Sequence, residues 1–89
     1  MKIAVVTGAG KGLGREIAAG LAAKGFAVLA TDIDESAAAA TASRLGDGAW
    51  SMKQDVRDPE SHRTVAGAAN DRAPERSTRW TAFLRASPR

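Results

Sequence analysis

An α/β fold on a parallel sheet is predicted by three observations. Short apolar runs recur over residues 2–6, 26–31 and 49–54, each of strand length. Stretches with helical spacing lie between and after them. Glycine or acidic residues mark where those helices begin, and glycine marks where the first two end. Strands that alternate with helices pair in parallel through right-handed crossovers, so the order β-α-β-α-β-α reads as the first half of a doubly wound sheet.

Each element has its own local reason. Ile3-Ala4-Val5-Val6 is a short β-rich run stopped by the glycine turn that begins at Gly8. Over 12–24, Leu13, Ile17, Ala18 and Leu21 fall at helical spacing, and Gly25 is placed to end that helix. Residues 26–31 form the second strand. Asp34-Glu35-Ser36 sets acidic groups at the positive end of an alanine-rich helix over 37–45, with Gly46 after it. Residues 49–54 form a weaker third strand, in which Trp50 is expected to pack. Asp58-Pro59-Glu60 combines an N-cap, a proline at the first helical position and an acidic first turn, so a third helix starts there.

Beyond about residue 65 the pattern fades. Residues 66–89 have no β-branched run for a fourth strand, contain two prolines, and use arginine without lysine. Trp80, Phe83 and Leu84 fall at i, i+3 and i+4 among Arg76, Arg79 and Arg85, a spacing expected of chance in a disordered tail. The first strand is therefore expected at an edge of the sheet, one layer of the fold is expected to be missing, and folding is expected to be weak.

Composition narrows the function classes. The net charge of +3 comes from Arg72, Arg76, Arg79, Arg85 and Arg89 against Asp71 and Glu75, because residues 1–65 balance. No nucleic-acid partner is expected on that account. The chain has no cysteine, which excludes a disulfide scaffold or a thiolate metal site and fits a reducing compartment. His62, the single histidine, has no second ligand at metal spacing and is expected as a solvated helix residue; no metal site is expected. The apolar start is too short for a signal-peptide core and no run is long enough for a membrane span, so a cytoplasmic protein without membrane contact is expected.

The chemistry lies in Thr7-Gly8-Ala9-Gly10-Lys11-Gly12-Leu13-Gly14. A strand, a glycine turn and a helix N-terminus together bring unpaired backbone N–H groups and the positive end of the helix dipole to one point, where an anion binds. The spacing is not G-x-G-x-x-G, since the residues five beyond Gly8, Gly10 and Gly12 are Leu13, Arg15 and Ile17. It is not a P-loop either, because Lys11 is followed by glycine. It is threonine followed by Gly8-x-x-x-Gly12-x-Gly14. Asp32 stands at the end of the second strand, and Asp55-Val56 follow the third.

In these three features, in this order, residues 1–65 resemble the N-terminal part of the short-chain dehydrogenases/reductases. The resemblance implies a Rossmann-type domain over 1–65, while the change of composition after it marks 66–89 as an Arg-rich tail that is expected to be disordered or read out of frame. It implies that Thr7, Gly8, Gly10, Lys11, Gly12, Leu13 and Gly14 hold a dinucleotide, that Asp32 takes the adenosine ribose and that Asp55 and Val56 lie against the adenine. A carboxylate at Asp32 accepts from both ribose hydroxyls and repels a 2′-phosphate, which favours NAD. Lys11 points the other way, because a basic residue there is common in NADP-preferring members.

Complete members oxidise alcohols or reduce carbonyls using a tyrosine and a lysine four residues apart. This chain has no tyrosine, so no catalytic residue is assigned and the chain itself is expected to be inactive. The helices that such enzymes use for assembly are also not found. The alternative reading is a non-catalytic module that senses a dinucleotide and engages a partner through its basic tail.

Overall fold

The computed structural model describes residues 2–72 and 79–85. The elements run β1 (Lys2–Thr7), α1 (Gly12–Ala23), β2 (Ala27–Asp32), α2 (Glu35–Leu45), β3 (Trp50–Lys53), α3 (Pro59–Arg72) and β4 (Arg79–Arg85). The strands form one sheet in the order β3-β2-β1-β4, and every pairing is parallel. Helices cover both faces, as a parallel sheet requires.

Side chains alternate across the sheet with the period of two that strands impose. Ile3, Val5, Ala27 and Leu29 point to one face and pack on Val65 and Ala69 of α3, with Trp50 and Met52 at the margin. Val6, Val28 and Ala30 point to the other. There they meet Ala9 and Ala18, with Ile17, Leu21, Ala22, Phe26 and Leu45 packed around them. The two helices that follow crossovers in the same direction thus share one face, and α3 takes the opposite one.

Helix ends follow the sequence signals. α1 closes in a Schellman turn, with Gly25 N–H donating to Ala22 O at 3.0 Å and Phe26 N–H to Leu21 O at 3.1 Å. Asp34 caps α2 by accepting from Ala37 N–H at 3.2 Å. Asp58 serves α3 in the same way, accepting from Glu60 N–H at 3.0 Å.

Three expectations are corrected. A fourth strand exists: β4 pairs with β1, with Ile3 opposite Trp80 and Val5 opposite Phe83, so β1 is central and not an edge. Trp80, Phe83 and Leu84 accordingly lie on a strand, where their helical spacing has no meaning. Next, the composition break near residue 65 falls inside α3, which continues to Arg72. The parts of the Arg-rich stretch at 73–78 and 86–89 lie outside the described residues. Finally, the layer expected to be missing leaves no bare sheet: Ile3, Val5, Val6, Val28 and Leu29 are all 0% exposed.

The core is thin, with alanine at many of its contacts, so each large side chain matters. Leu29→Ala removes the largest buried side chain of β2 and is expected to cost about 2–5 kcal/mol. Urea unfolding followed by circular dichroism checks this; a change below about 1 kcal/mol would mean that Leu29 is not buried as described.

Candidate functional site

The carboxyl ends of β1, β2 and β3 lie side by side. Thr7 is in register with Thr31, and Asp32 with Lys53, so the glycine turn, Asp32 and the Asp55-Val56 loop all emerge from one edge of the sheet. β2 and β3 lie to one side of β1 and β4 to the other. This is the switch point where open α/β sheets form their crevice.

The glycine turn is shaped by steric limits. Gly8 and Gly12 have φ of 68° and 59°, the left-handed region that side chains with a Cβ rarely enter. Gly14, in the first turn of α1, packs on Gly8, and a Cβ there would overlap the Gly8 carbonyl. At Gly10 a Cβ would lie 2.6 Å from Ala37 Cβ and 2.8 Å from Asp32 Oδ2. The turn therefore sits flush on both α1 and α2.

Its backbone is tied from beneath. Ala9 N–H donates to Thr31 O at 2.9 Å, and the Thr41 hydroxyl donates to Ala9 O at 2.8 Å. Above it, the N-terminus of α1 has no side-chain cap at Lys11 and no acidic residue in its first turn. The first N–H groups of a helix have no intrahelical partners, and the positive end of its dipole favours anions. α2 and α3 differ, with their acidic first turns at Glu35 and Glu60.

Asp32 is held by two backbone donors. Its Oδ2 accepts from Gly10 N–H at 2.9 Å and its Oδ1 from Asp34 N–H at 3.0 Å. Each carboxylate oxygen keeps a further lone pair for a ligand hydroxyl. Leu13 and Ile33, next to Gly12 and Asp32 in sequence, are the large apolar side chains that remain exposed among the described residues, at 66% and 53%.

The third part of the site rests on a relay that the sequence did not show. Thr31 Oγ1 donates to Gln54 Oε1 at 2.6 Å, and Gln54 Nε2 lies 3.1 Å from His62 Nδ1. An amide nitrogen only donates, so Nδ1 accepts and the ring proton sits on Nε2, which donates to Val56 O at 2.9 Å. His62 is thus half-buried with both ring nitrogens engaged, correcting its reading as a solvated residue. Asp55 N–H is held by Ser61 Oγ at 3.0 Å. The Asp55 carboxylate takes Arg57 through Nε at 3.0 Å and Nη2 at 3.1 Å. The expected adenine-side pair is therefore positioned by α3, with its carboxylate already paired to a cation.

Two carboxyls titrate low. Asp34 is held below its ordinary value of 3.8 by the Ser36 hydroxyl and the Ala37 N–H, with a contribution from the charge of Lys11. Asp55 is lowered by its bond to the Arg57 side chain and then by the Arg57 N–H. Among the described residues no group of histidines and carboxylates is placed to hold a metal, and no helix is long and apolar enough to cross a membrane.

The family model of the short chain dehydrogenases matches residues 2–75. The chain belongs to that family. Its 3-oxoacyl-(acyl-carrier-protein) reductase relative from Vibrio cholerae is 43% identical over 70 residues, 79% of this chain and 29% of the relative. Among solved structures, the 3-ketoacyl-(acyl-carrier-protein) reductase from Brucella melitensis complexed with NADH superposes with a TM-score of 0.77 at 31% identity, over 80% of this chain and 29% of that one. The menthone neomenthol reductase from Mentha piperita gives 0.83 at 30% identity, over 97% and 31%. The chain corresponds to an N-terminal part of a short-chain dehydrogenase and spans less than a third of the length of these relatives. The family binds NAD or NADP and consists of oxidoreductases.

Two outcomes test the site. Gln54→Leu removes the Gln54 link between the Thr31 hydroxyl and His62 Nδ1, and is expected to lower stability by about 1–3 kcal/mol in a thermal melt; an unchanged melt would remove the relay. The low values of Asp34 and Asp55 mean stability fully present above pH 3.8 and lost as pH falls through their lower folded values. Carboxyl-carbon NMR should show both midpoints below 3.8.

Proposed function

We propose that the chain is the NAD-binding part of a short-chain oxidoreductase. The observation that carries this is the pairing of an uncapped α1 N-terminus with a carboxylate, Asp32, fixed by two backbone N–H groups across the same crevice. The geometry suits a dinucleotide: close backbone approach at Gly10 and Gly14, a positive helix end, and an acceptor pair for a diol.

In this reading the N–H groups at the start of α1 take the pyrophosphate, with Thr7, Gly8, Gly10 and Gly12 shaping the turn and Lys11 adding charge. Leu13, exposed in the first turn of α1, adds an apolar side chain beside the glycine turn. Asp32 takes the two ribose hydroxyls of the adenosine. Asp55 and Val56 border the adenine, and the Arg57 clasp keeps the Asp55 carboxylate ionised beside it. Bound there, the cofactor supplies hydride exchange with an alcohol or carbonyl. This chain's own residues bind and orient it. With no tyrosine in the sequence, no residue carries the proton, and turnover belongs to a complete relative.

NAD is favoured over NADP. A 2′-phosphate would stand against Asp32, with Asp34 two residues further on, and Asp34 already feels the charge of Lys11. A protein acting on a freely diffusing dinucleotide, with no cysteine, fits the cytoplasm.

Calorimetric titration with NAD and NADP tests the reading. NAD should bind more tightly than NADP. Asp32→Asn should weaken NAD by about 1.5–3 kcal/mol and narrow the gap between the two. Tighter binding of NADP by the unaltered chain would overturn the preference, and saturable binding of neither would overturn the reading itself.

A further inference from the structure

The Ala9–Gly10 peptide is gripped at both ends. Its carbonyl accepts from the Thr41 hydroxyl at 2.8 Å, and its N–H donates to Asp32 Oδ2 at 2.9 Å. No cis peptide bond occurs in the described chain, so these two groups point in opposite directions from one rigid plane. Fixing the carbonyl therefore fixes the direction of the N–H. Flipping that plane would aim the carbonyl at the Asp32 carboxylate, setting two acceptors against each other.

The sequence makes the same point from α2. The buried residues of that helix are Ala38, Thr41 and Ala42. Threonine is a poorer helix former than the alanines around it, and a mid-helix threonine hydroxyl commonly returns to its own helix four residues back. Here it reaches Ala9 instead, 32 residues away in sequence. Thr41 is 2% exposed and Ala9 0%, so water is poorly placed to replace the bond. The bond joins the helix to the peptide whose N–H holds Asp32 Oδ2, while Asp34 N–H holds the other oxygen.

We infer that Thr41 is a positioning residue for Asp32: by locking the Ala9–Gly10 peptide plane, its hydroxyl sets the bearing of the carboxylate that faces the ribose diol. What Asp32 receives rests on the dinucleotide reading; the lock itself does not. Valine at 41 keeps the shape and removes the donor, whereas serine keeps the donor.

The test compares the full chain with Thr41→Val and Thr41→Ser, in two measurements. In the free protein, the Gly10 amide proton should move as Asp32 is titrated in the unaltered chain and in Thr41→Ser, and should lose that response in Thr41→Val. With ligand, the unaltered chain and Thr41→Ser should bind ADP about tenfold more tightly than 2′-deoxy-ADP. Thr41→Val should bring that preference to about twofold or less.

A merely structural role lowers both affinities together and leaves their ratio intact; that result, or a Gly10 amide in Thr41→Val that still follows Asp32, overturns the proposal. If the unaltered chain binds neither nucleotide while Gly10 follows Asp32, the dinucleotide reading fails and the lock stands. Where Thr41→Val does not fold, the unaltered chain decides. A Thr41 hydroxyl proton slow enough to observe supports the lock, and one in fast exchange with water overturns it.

Discussion

The parallel register of β1 against β2 is the constraint on which the rest of the site depends. Because Thr7 lies level with Thr31, the strands end together and their loops meet over one edge. A slip of one residue would turn Ile3 and Val5 away from α3 and would carry the glycine turn out of reach of Asp32. The register is fixed from both faces at once, by α3 on one and by α1 and α2 on the other. Pairing with β4 completes it by giving β1 a neighbour on its second side.

Around that frame the crevice is held by few, well-buried polar links. Thr31 touches two of them, since its carbonyl accepts from Ala9 and its hydroxyl donates to Gln54. One β2 residue therefore braces both the glycine turn and, through Gln54 and His62, the loop at Val56. Such links carry consequences out of proportion to their number, because a buried polar group that loses its partner costs about 1–3 kcal/mol while most single contacts contribute less. The alanine-rich helices suit the arrangement. Small side chains let α1 and α2 approach the turn closely, at Gly14 and Gly10, at the expense of apolar area in the core.

The places where expectation and structure part follow a pattern. The fourth strand is hard to see in the sequence because Arg79–Arg85 carries arginine at both ends and has no β-branched aliphatic residue, yet its Trp80, Thr81 and Phe83 are residues that strands favour. Their helical spacing masks that signal. Sequence alone makes His62 look solvated, because its partners are an amide and a carbonyl, neither of which marks a histidine in sequence. Thr41 sits within a run of alanines, and nothing beside it in sequence marks its partner Ala9. In each case the information sits in a pairing between distant segments.

What the sequence by itself determined is local: the order of the first six elements, the acidic start of α2, the cap at Asp58, the stop at Gly25, and the motif from Thr7 to Gly14 with Asp32 and Asp55 in train. These follow from periodicity, turn stereochemistry and capping, which act over a few residues. Tertiary structure alone decided that β1 is central, that one peptide joins Thr41 to Asp32, and that His62 reaches Val56 through its Nε2. Those depend on which segments the sheet brings within about 3 Å of each other, a distance that packing sets and neighbouring residues in the chain do not encode.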